Sequence, residues 1–66
     1  MSIIIDLRGP QGNAFYLMGY AESLGRQLSF TSDEIESIID KMKSADYENL
    51  VNVFVEFFGD YVILRR

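Results

Sequence analysis

The chain has 66 residues, of which 48% are apolar, and a formal net charge of −4. It contains no cysteine and no histidine, which excludes a disulfide framework and a typical zinc site. The excess of acidic residues disfavours nucleic-acid binding, because that binding depends on neutralising phosphates with basic side chains. We expect one domain over residues 1–66, with no metal and no cofactor. A domain this small needs a source of stability beyond its core. Because the composition excludes disulfides and a typical zinc site, self-association is the remaining source. We therefore predict a homo-oligomer.

The first predicted element is a strand over 3–7. Three consecutive isoleucines, Ile3 to Ile5, favour a strand and point to both faces of its sheet. A strand that is apolar on both faces is usually covered on both, which indicates a partner. No basic leader precedes the strand, and no apolar run approaches the ~20 residues of a membrane span. We predict a cytoplasmic protein without a membrane partner.

A first helix is predicted from about Asn13 to Leu28, with Asn13 as its N-cap. Its core face repeats at helical spacing and comprises Ala14, Leu17, Met18, Ala21, Leu24, Gly25 and Leu28. Tyr16 and Tyr20 lie one turn apart on an outward stripe. Gly19 costs roughly 1 kcal/mol relative to alanine in a helix, so we expect a neighbour to pack closely against it.

Two further helices and a closing strand follow. Thr31 and Glu34 form a capping box, with Phe30 and Ile35 as a hydrophobic staple, and this second helix ends near Lys43. The third helix is predicted from 44–46 to about Phe58, before Gly59, and the last strand over 60–65. The fold class is α+β, a small β-α-α-α-β domain with its terminal strands paired. We expect oligomerisation to extend or cover this sheet, since two strands alone are marginal.

The turn between the first strand and the first helix is the candidate ligand site. It has neither the lysine of a P-loop nor the glycine pattern of a dinucleotide site. Two glycines nevertheless allow close approach to the backbone, and a helix N-terminus favours an anion. The predicted contacts to an anionic small molecule or nucleotide are Arg8, Gly9, Gln11, Gly12, Asn13 and Tyr16. In the competing interpretation the glycines only shape the turn, and Arg8 only pairs with Asp6.

The apolar residues are too many for one small core, and their surplus predicts an interface. The candidate interface residues are Ile3, Ile5, Tyr20, Val51, Val55 and Phe58. Catalysis is not expected, because the chain lacks histidine and cysteine and its serines have no evident activating partner.

Three segments resemble a group of small proteins encoded by tailed bacteriophages: residues 6–15 (DLRGPQGNAF), 46–50 (DYENL) and 58–62 (FGDYV). The resemblance implies production in the cytoplasm of an infected bacterium and brings no established activity with it. Small phage accessory proteins often inhibit a partner or sequester a ligand. Three hypotheses follow: a binding protein for an anionic ligand, an inhibitor of a host protein that uses exposed apolar and tyrosine side chains, and a structural accessory protein without ligand.

Overall fold

The computed structural model describes residues 3–66 and contains two strands and three α-helices. In chain order these are β1 (Ile3–Asp6), a short 3₁₀ turn (Pro10–Gly12), α1 (Ala14–Gln27), α2 (Ser32–Met42), α3 (Tyr47–Phe58) and β2 (Val62–Arg65). The predicted β-α-α-α-β order and the α+β class are confirmed. Both strands are shorter than predicted, since Leu7 and residues 60–61 lie outside them. Met1 and Ser2, which the sequence places ahead of β1, lie outside the described residues.

The two strands form a parallel pair in which Ile3 lies opposite Val62 and Ile5 opposite Leu64. Parallel neighbours require a long crossover connection, and here the three helices supply it. Alternation along each strand sends Ile5 and Val62 into the core, while Ile4 and Ile63 point away from it and stay about half exposed. The sheet is therefore covered on one face only.

The core is centred on α3. Phe54 and Phe58 are fully buried, with their ring centroids 5.3 Å apart, and Phe58 stacks on Phe30 at 6.0 Å. Because α3 packs against both α1 and α2, its buried arc is wide enough to include Val51. Around these residues lie the other buried apolar side chains, among them Ile5, Leu17, Ala21, Leu24, Ile38, Met42, Leu50, Val53 and Val62.

Part of the predicted interface is wrong, because three of its residues are buried in the core. Ile5, Val51 and Phe58 have at most 2% of their surface exposed, so they are not accessible to a partner. One core-facing stripe per element was expected. Val51 and Phe58 lie on α3, which contacts two other helices and so buries more than one stripe, while Ile5 faces the core from β1.

The helix caps follow the sequence closely. The Asn13 side chain accepts from the Phe15 amide at 2.8 Å, and both hydrogen bonds of the Thr31–Glu34 capping box are present. The helix α1 ends close to the predicted Leu28, but the backbone that follows was not predicted: Ser29 adopts a φ of 66°, and the Phe30 amide donates to the Gly25 carbonyl at 2.9 Å. A serine thus occupies the left-handed position that glycine usually takes after a helix.

The glycines of α1 differ in their packing. A Cβ on Gly25 would lie 2.8 Å from the Ile35 side chain, so Gly25 permits the close contact of α1 with α2. The prediction for Gly19 was wrong, because a Cβ there would meet nothing within 4 Å. Gly12 precedes α1 and is buried, and a Cβ on it would overlap the backbone carbonyl of Leu7.

Substitution of two glycines by alanine should therefore have opposite effects. Gly12→Ala should lower the free energy of unfolding by roughly 1–3 kcal/mol, because a backbone atom cannot move aside as a flexible side chain can. Gly19→Ala should raise it by roughly 0.5–1 kcal/mol, since the methyl group enters open space and the unfolded chain loses freedom. Urea denaturation of both variants measures the difference. Equal stabilities would contradict the close approach at Gly12.

Candidate functional site

The turn between β1 and α1, residues 7–13, is closed by its own backbone. The Gly9 amide donates to the Asp6 carbonyl at 3.2 Å, and the Gly12 amide donates to the Gly9 carbonyl at 3.0 Å. The Asn13 amide donates to the Pro10 carbonyl at 3.2 Å. Anion sites at helix N-termini depend on amides that point at the ligand without another acceptor. Three amides of the predicted site are instead donors within the turn.

Asp6 and Arg8 interact as the competing interpretation of the turn predicts. Asp6 Oδ1 accepts from the Arg8 amide at 2.9 Å and from Arg8 Nε at 3.3 Å. The bond from the Arg8 amide is the main reason that the pKa of Asp6 is lowered, and the side-chain bond is the next. The Arg8 side chain is 69% exposed, so the pair lies in solvent, and part of the arginine charge is already balanced.

Gln11 is occupied by contacts within the turn and with α1. The backbone amides of Ile3 and Leu7 donate towards β2. The backbone groups of successive residues alternate in direction along a strand, so those of Asp6 face the free edge of β1. At that edge Gln11 Oε1 accepts from the Asp6 amide at 3.4 Å, and Gln11 Nε2 lies 3.4 Å from the Tyr16 hydroxyl. The Gln11 side chain therefore covers part of the strand edge.

Tyr47 is a residue of the site that the sequence analysis did not identify. Its hydroxyl donates to the Gly12 carbonyl at 2.5 Å and so joins the start of α3 to the turn. Tyr47 is 39% exposed, and its hydroxyl extends to the turn rather than into the core. No local pattern signals this bond, because its two residues lie 35 positions apart.

Concave surfaces lie away from the turn. Among the depressions on the described part of the chain are four with volumes of about 540, 450, 330 and 340 Å³. The largest of these four is lined by polar and charged residues of α2 and the α2–α3 connection. None of the four is lined by a residue of the turn. The predicted contacts Arg8, Gly9, Gln11 and Asn13 are exposed, but they do not enclose a cavity.

One depression is lined mainly by apolar side chains, and we call it the Phe15 depression. It has a volume of about 340 Å³ and lies between the start of α1 and the α2–α3 connection. The Phe15 side chain beside it is 81% exposed, the most exposed of the large apolar side chains in the described residues. The residues that line this depression are Ala14, Phe15, Met18, Met42, Lys43, Ala45, Asp46, Tyr47 and Leu50.

The remaining predicted interface residues differ in accessibility. Ile3 and Val55 are 37% and 46% exposed, so they are available to a partner. Tyr20 is half-buried, with its ring 6.4 Å from that of Phe54 and 6.0 Å from that of Tyr16. Burial raises the pKa of the Tyr20 hydroxyl. Tyr20 therefore contributes to packing at the margin of the core as well as to the surface.

Comparisons with known proteins do not assign the chain to a family. No family model matches the sequence, and no curated protein or solved structure shows significant similarity to it. Among residues 3–66, no helix is both long and apolar enough to cross a membrane. Arguments about function therefore depend on the geometry of this chain alone.

The pKa of Asp6 should show how much of its lowering comes from the hydrogen bond of the Arg8 amide and how much from that of the Arg8 side chain. We expect a value below the usual 3.8 in the wild type. Arg8→Ala should recover only part of the shift, because the residue 8 amide, the largest single cause, is retained. A carboxyl with a lowered pKa stabilises the fold at higher pH, so its contribution should be lost as the pH falls below about 4. NMR titration of the Asp6 carboxyl measures these values. Full recovery of the usual pKa in Arg8→Ala would show that the side-chain pair dominates.

Removal of the Tyr47 hydroxyl should weaken the attachment of α3 to the turn. Tyr47→Phe should lower the free energy of unfolding by about 0.5–1.5 kcal/mol, the net contribution of a typical hydrogen bond. Tyr61→Phe is the matched control, since Tyr61 is similarly exposed, at 44%, but its hydroxyl makes no hydrogen bond within the described residues, so its substitution should change stability by less than about 0.5 kcal/mol. Denaturant unfolding of both variants tests this. A Tyr47→Phe variant as stable as the control would contradict a structural role for the bond.

Proposed function

We propose that the chain is a small oligomeric binding protein that acts on another protein through its exposed apolar surface, with the Phe15 depression as the contact site. The observation that carries the proposal is the 81% exposure of Phe15 beside a depression lined by apolar side chains. The protein is proposed to have no catalytic activity. Its origin in a phage and its location in the bacterial cytoplasm remain proposals that rest on the resemblance.

The fold does not use the Phe15 ring for its own stability. Burial of a phenylalanine side chain contributes roughly 1.5–3 kcal/mol, and α1 gains this contribution from other residues, such as Leu17 and Leu24. A single exposed apolar residue is ordinary. Phe15, however, borders a concave surface with further apolar side chains, and this combination is typical of recognition sites.

The lining of the depression suits an apolar side chain of a partner. Met18 is half-buried, and methionine adapts its shape to different neighbours, whereas Met42 is fully buried and does not reach a partner. Lys43 and Asp46 add opposite charges to the lining. An apolar centre with polar groups beside it resembles the usual anatomy of a protein–protein contact. We therefore propose a partner that inserts one apolar side chain and places polar groups around it.

The anionic-ligand hypothesis has less support from the geometry. An anion at the turn would have to compete with Asp6 for Arg8 and with backbone carbonyls for three amides. Arg8 remains its strongest side-chain candidate, since it is the only basic residue before Arg26. We place this hypothesis second, and the structural accessory role third.

Site-specific photocross-linking tests the partner proposal. A photoreactive phenylalanine at position 15 should give a discrete cross-linked product with another protein in bacterial cells that produce the chain. The matched control carries the same group at Gln27, an exposed position near the other end of α1, and should not give that product. The substitution at position 15 should leave the melting temperature unchanged, because the site is exposed.

Two results would contradict the proposal. The first is an identical pattern of products from positions 15 and 27, which would indicate random collision. The second is a rise of several degrees in melting temperature with a nucleotide, abolished by Arg8→Ala. Because a bound ligand stabilises the folded state by mass action, that rise would favour the turn as the functional site.

A further inference from the structure

The outer face of the sheet presents two rows of side chains. Since paired residues of parallel strands point to the same side, Ile4 and Ile63 form one row and Asp6 and Arg65 the next. Ile4 and Ile63 are 50% and 49% exposed, and Arg65 is exposed as well. Asp6 and Arg65 lie opposite each other across the strands, and after the bonds from Arg8 the charge of Arg65 is a minor further cause of the lowered pKa of Asp6. The face is thus an apolar pair beside a pair of opposite charges.

The free edge of β1 is less open than this face. At Asp6 the amide donates to Gln11, and the carbonyl accepts from the Gly9 amide. Both backbone groups that an added strand would need at this position are engaged by the turn of the same chain. Addition of a strand at Asp6 would require the turn to open, whereas contact with the outer face would leave both of these bonds intact. Covering of an edge in this way is a common protection against strand addition.

We propose that a second copy of the chain packs on this outer face, sheet against sheet, about a two-fold axis parallel to the strands. The axis places β1 of each copy over β2 of the other. Ile4 then meets the partner's Ile63, and Asp6 meets the partner's Arg65. Each dimer contains both kinds of contact twice, as a two-fold interface requires.

Charge complementarity selects this axis over its alternative. An axis perpendicular to the strands, in the plane of the contact, would place β1 over β1 and run the strands in opposite directions. Ile4 would then face its own copy, and the Asp6–Arg65 rows would lie at opposite ends without a partner. The parallel axis places the Asp6 carboxylate, which also accepts from Arg8 of its own chain, opposite the partner's Arg65, and opposite charges placed together favour this arrangement.

The size of the face sets the strength of the dimer. Stable complexes bury about 800 Å² per partner, which would be roughly a fifth of the 4361 Å² surface of this chain. A face of two short strands is smaller than that. We therefore expect a weak dimer in exchange with the monomer, with a dissociation constant between about 10 µM and about 1 mM.

This inference rests on the oligomeric state included in the proposed function, and it assigns a surface to it. No residue of the Phe15 depression belongs to the sheet. The two can therefore fail separately. Phe15→Ser should dimerise as the wild type does, and a variant of the outer face should keep the cross-link from position 15.

A mixing experiment with complementary charges tests the arrangement. Ile4→Glu and Ile63→Lys each place a charge against a partner isoleucine, and each alone should weaken dimerisation by about tenfold or more. In an equal mixture, residue 4 of the first variant faces residue 63 of the second, and the mixture should recover near wild-type affinity as a heterodimer. Gln27→Lys is the matched control, because Gln27 is exposed near the end of α1, outside the sheet, and its substitution should leave dimerisation unchanged. Sedimentation equilibrium from about 10 µM to about 1 mM covers the expected range.

Isotope-filtered NMR on the wild type gives a second measurement that needs no substitution. In a mixture of labelled and unlabelled chains, we expect intermolecular contacts between the methyl groups of Ile4 and Ile63. A wild type that stays monomeric over the whole concentration range would overturn the proposal. Failure of the mixed variants to associate, or intermolecular contacts from Ile4 to Ile4 only, would overturn the parallel axis.

Discussion

The close approach of Gly12 to the backbone of Leu7 is the constraint on which the rest of the structure depends. It allows the chain to turn from β1 into α1 within a few residues, and it exposes the Gly12 carbonyl to the hydroxyl of Tyr47. The start of α3 is thereby attached to the start of α1 at the end of the sheet. In a domain of this size, one such link orients elements that would otherwise depend on a small core alone.

The same constraint decides how the turn is used. A loop of glycines before a helix has the composition of an anion site, but its amides and the Gln11 side chain are engaged in closing the turn and covering the β1 edge. To bind a ligand, these polar groups would have to give up hydrogen bonds that keep the turn closed, and the loss of those bonds costs free energy. We therefore propose binding at two other surfaces, the Phe15 depression and the outer face of the sheet.

The position of α3 between its neighbours explains why the chain has more apolar residues than one stripe per helix requires. Phe54 and Phe58 fill the interior, and their contacts extend to Tyr20 and Phe30. The apolar residues left outside, Ile4, Phe15, Val55 and Ile63 among them, are not spread evenly. Two of them share a row on the sheet, and one borders the concave surface between α1 and the α2–α3 connection.

The sequence by itself determined the number, order and approximate bounds of the elements, because strand alternation, helical spacing and caps act over a few residues. Asn13, the Thr31–Glu34 capping box and the core face of α1 were all readable in this way. The Asp6–Arg8 pair was also foreseen as one of two interpretations, since its partners are only two positions apart. Tertiary structure alone decided the parallel pairing of the strands, the burial of Ile5, Val51 and Phe58, the bond from Tyr47 to Gly12 and the open space at Gly19. Each of these depends on which distant segment lies against a residue, and that choice is made by packing of the whole chain.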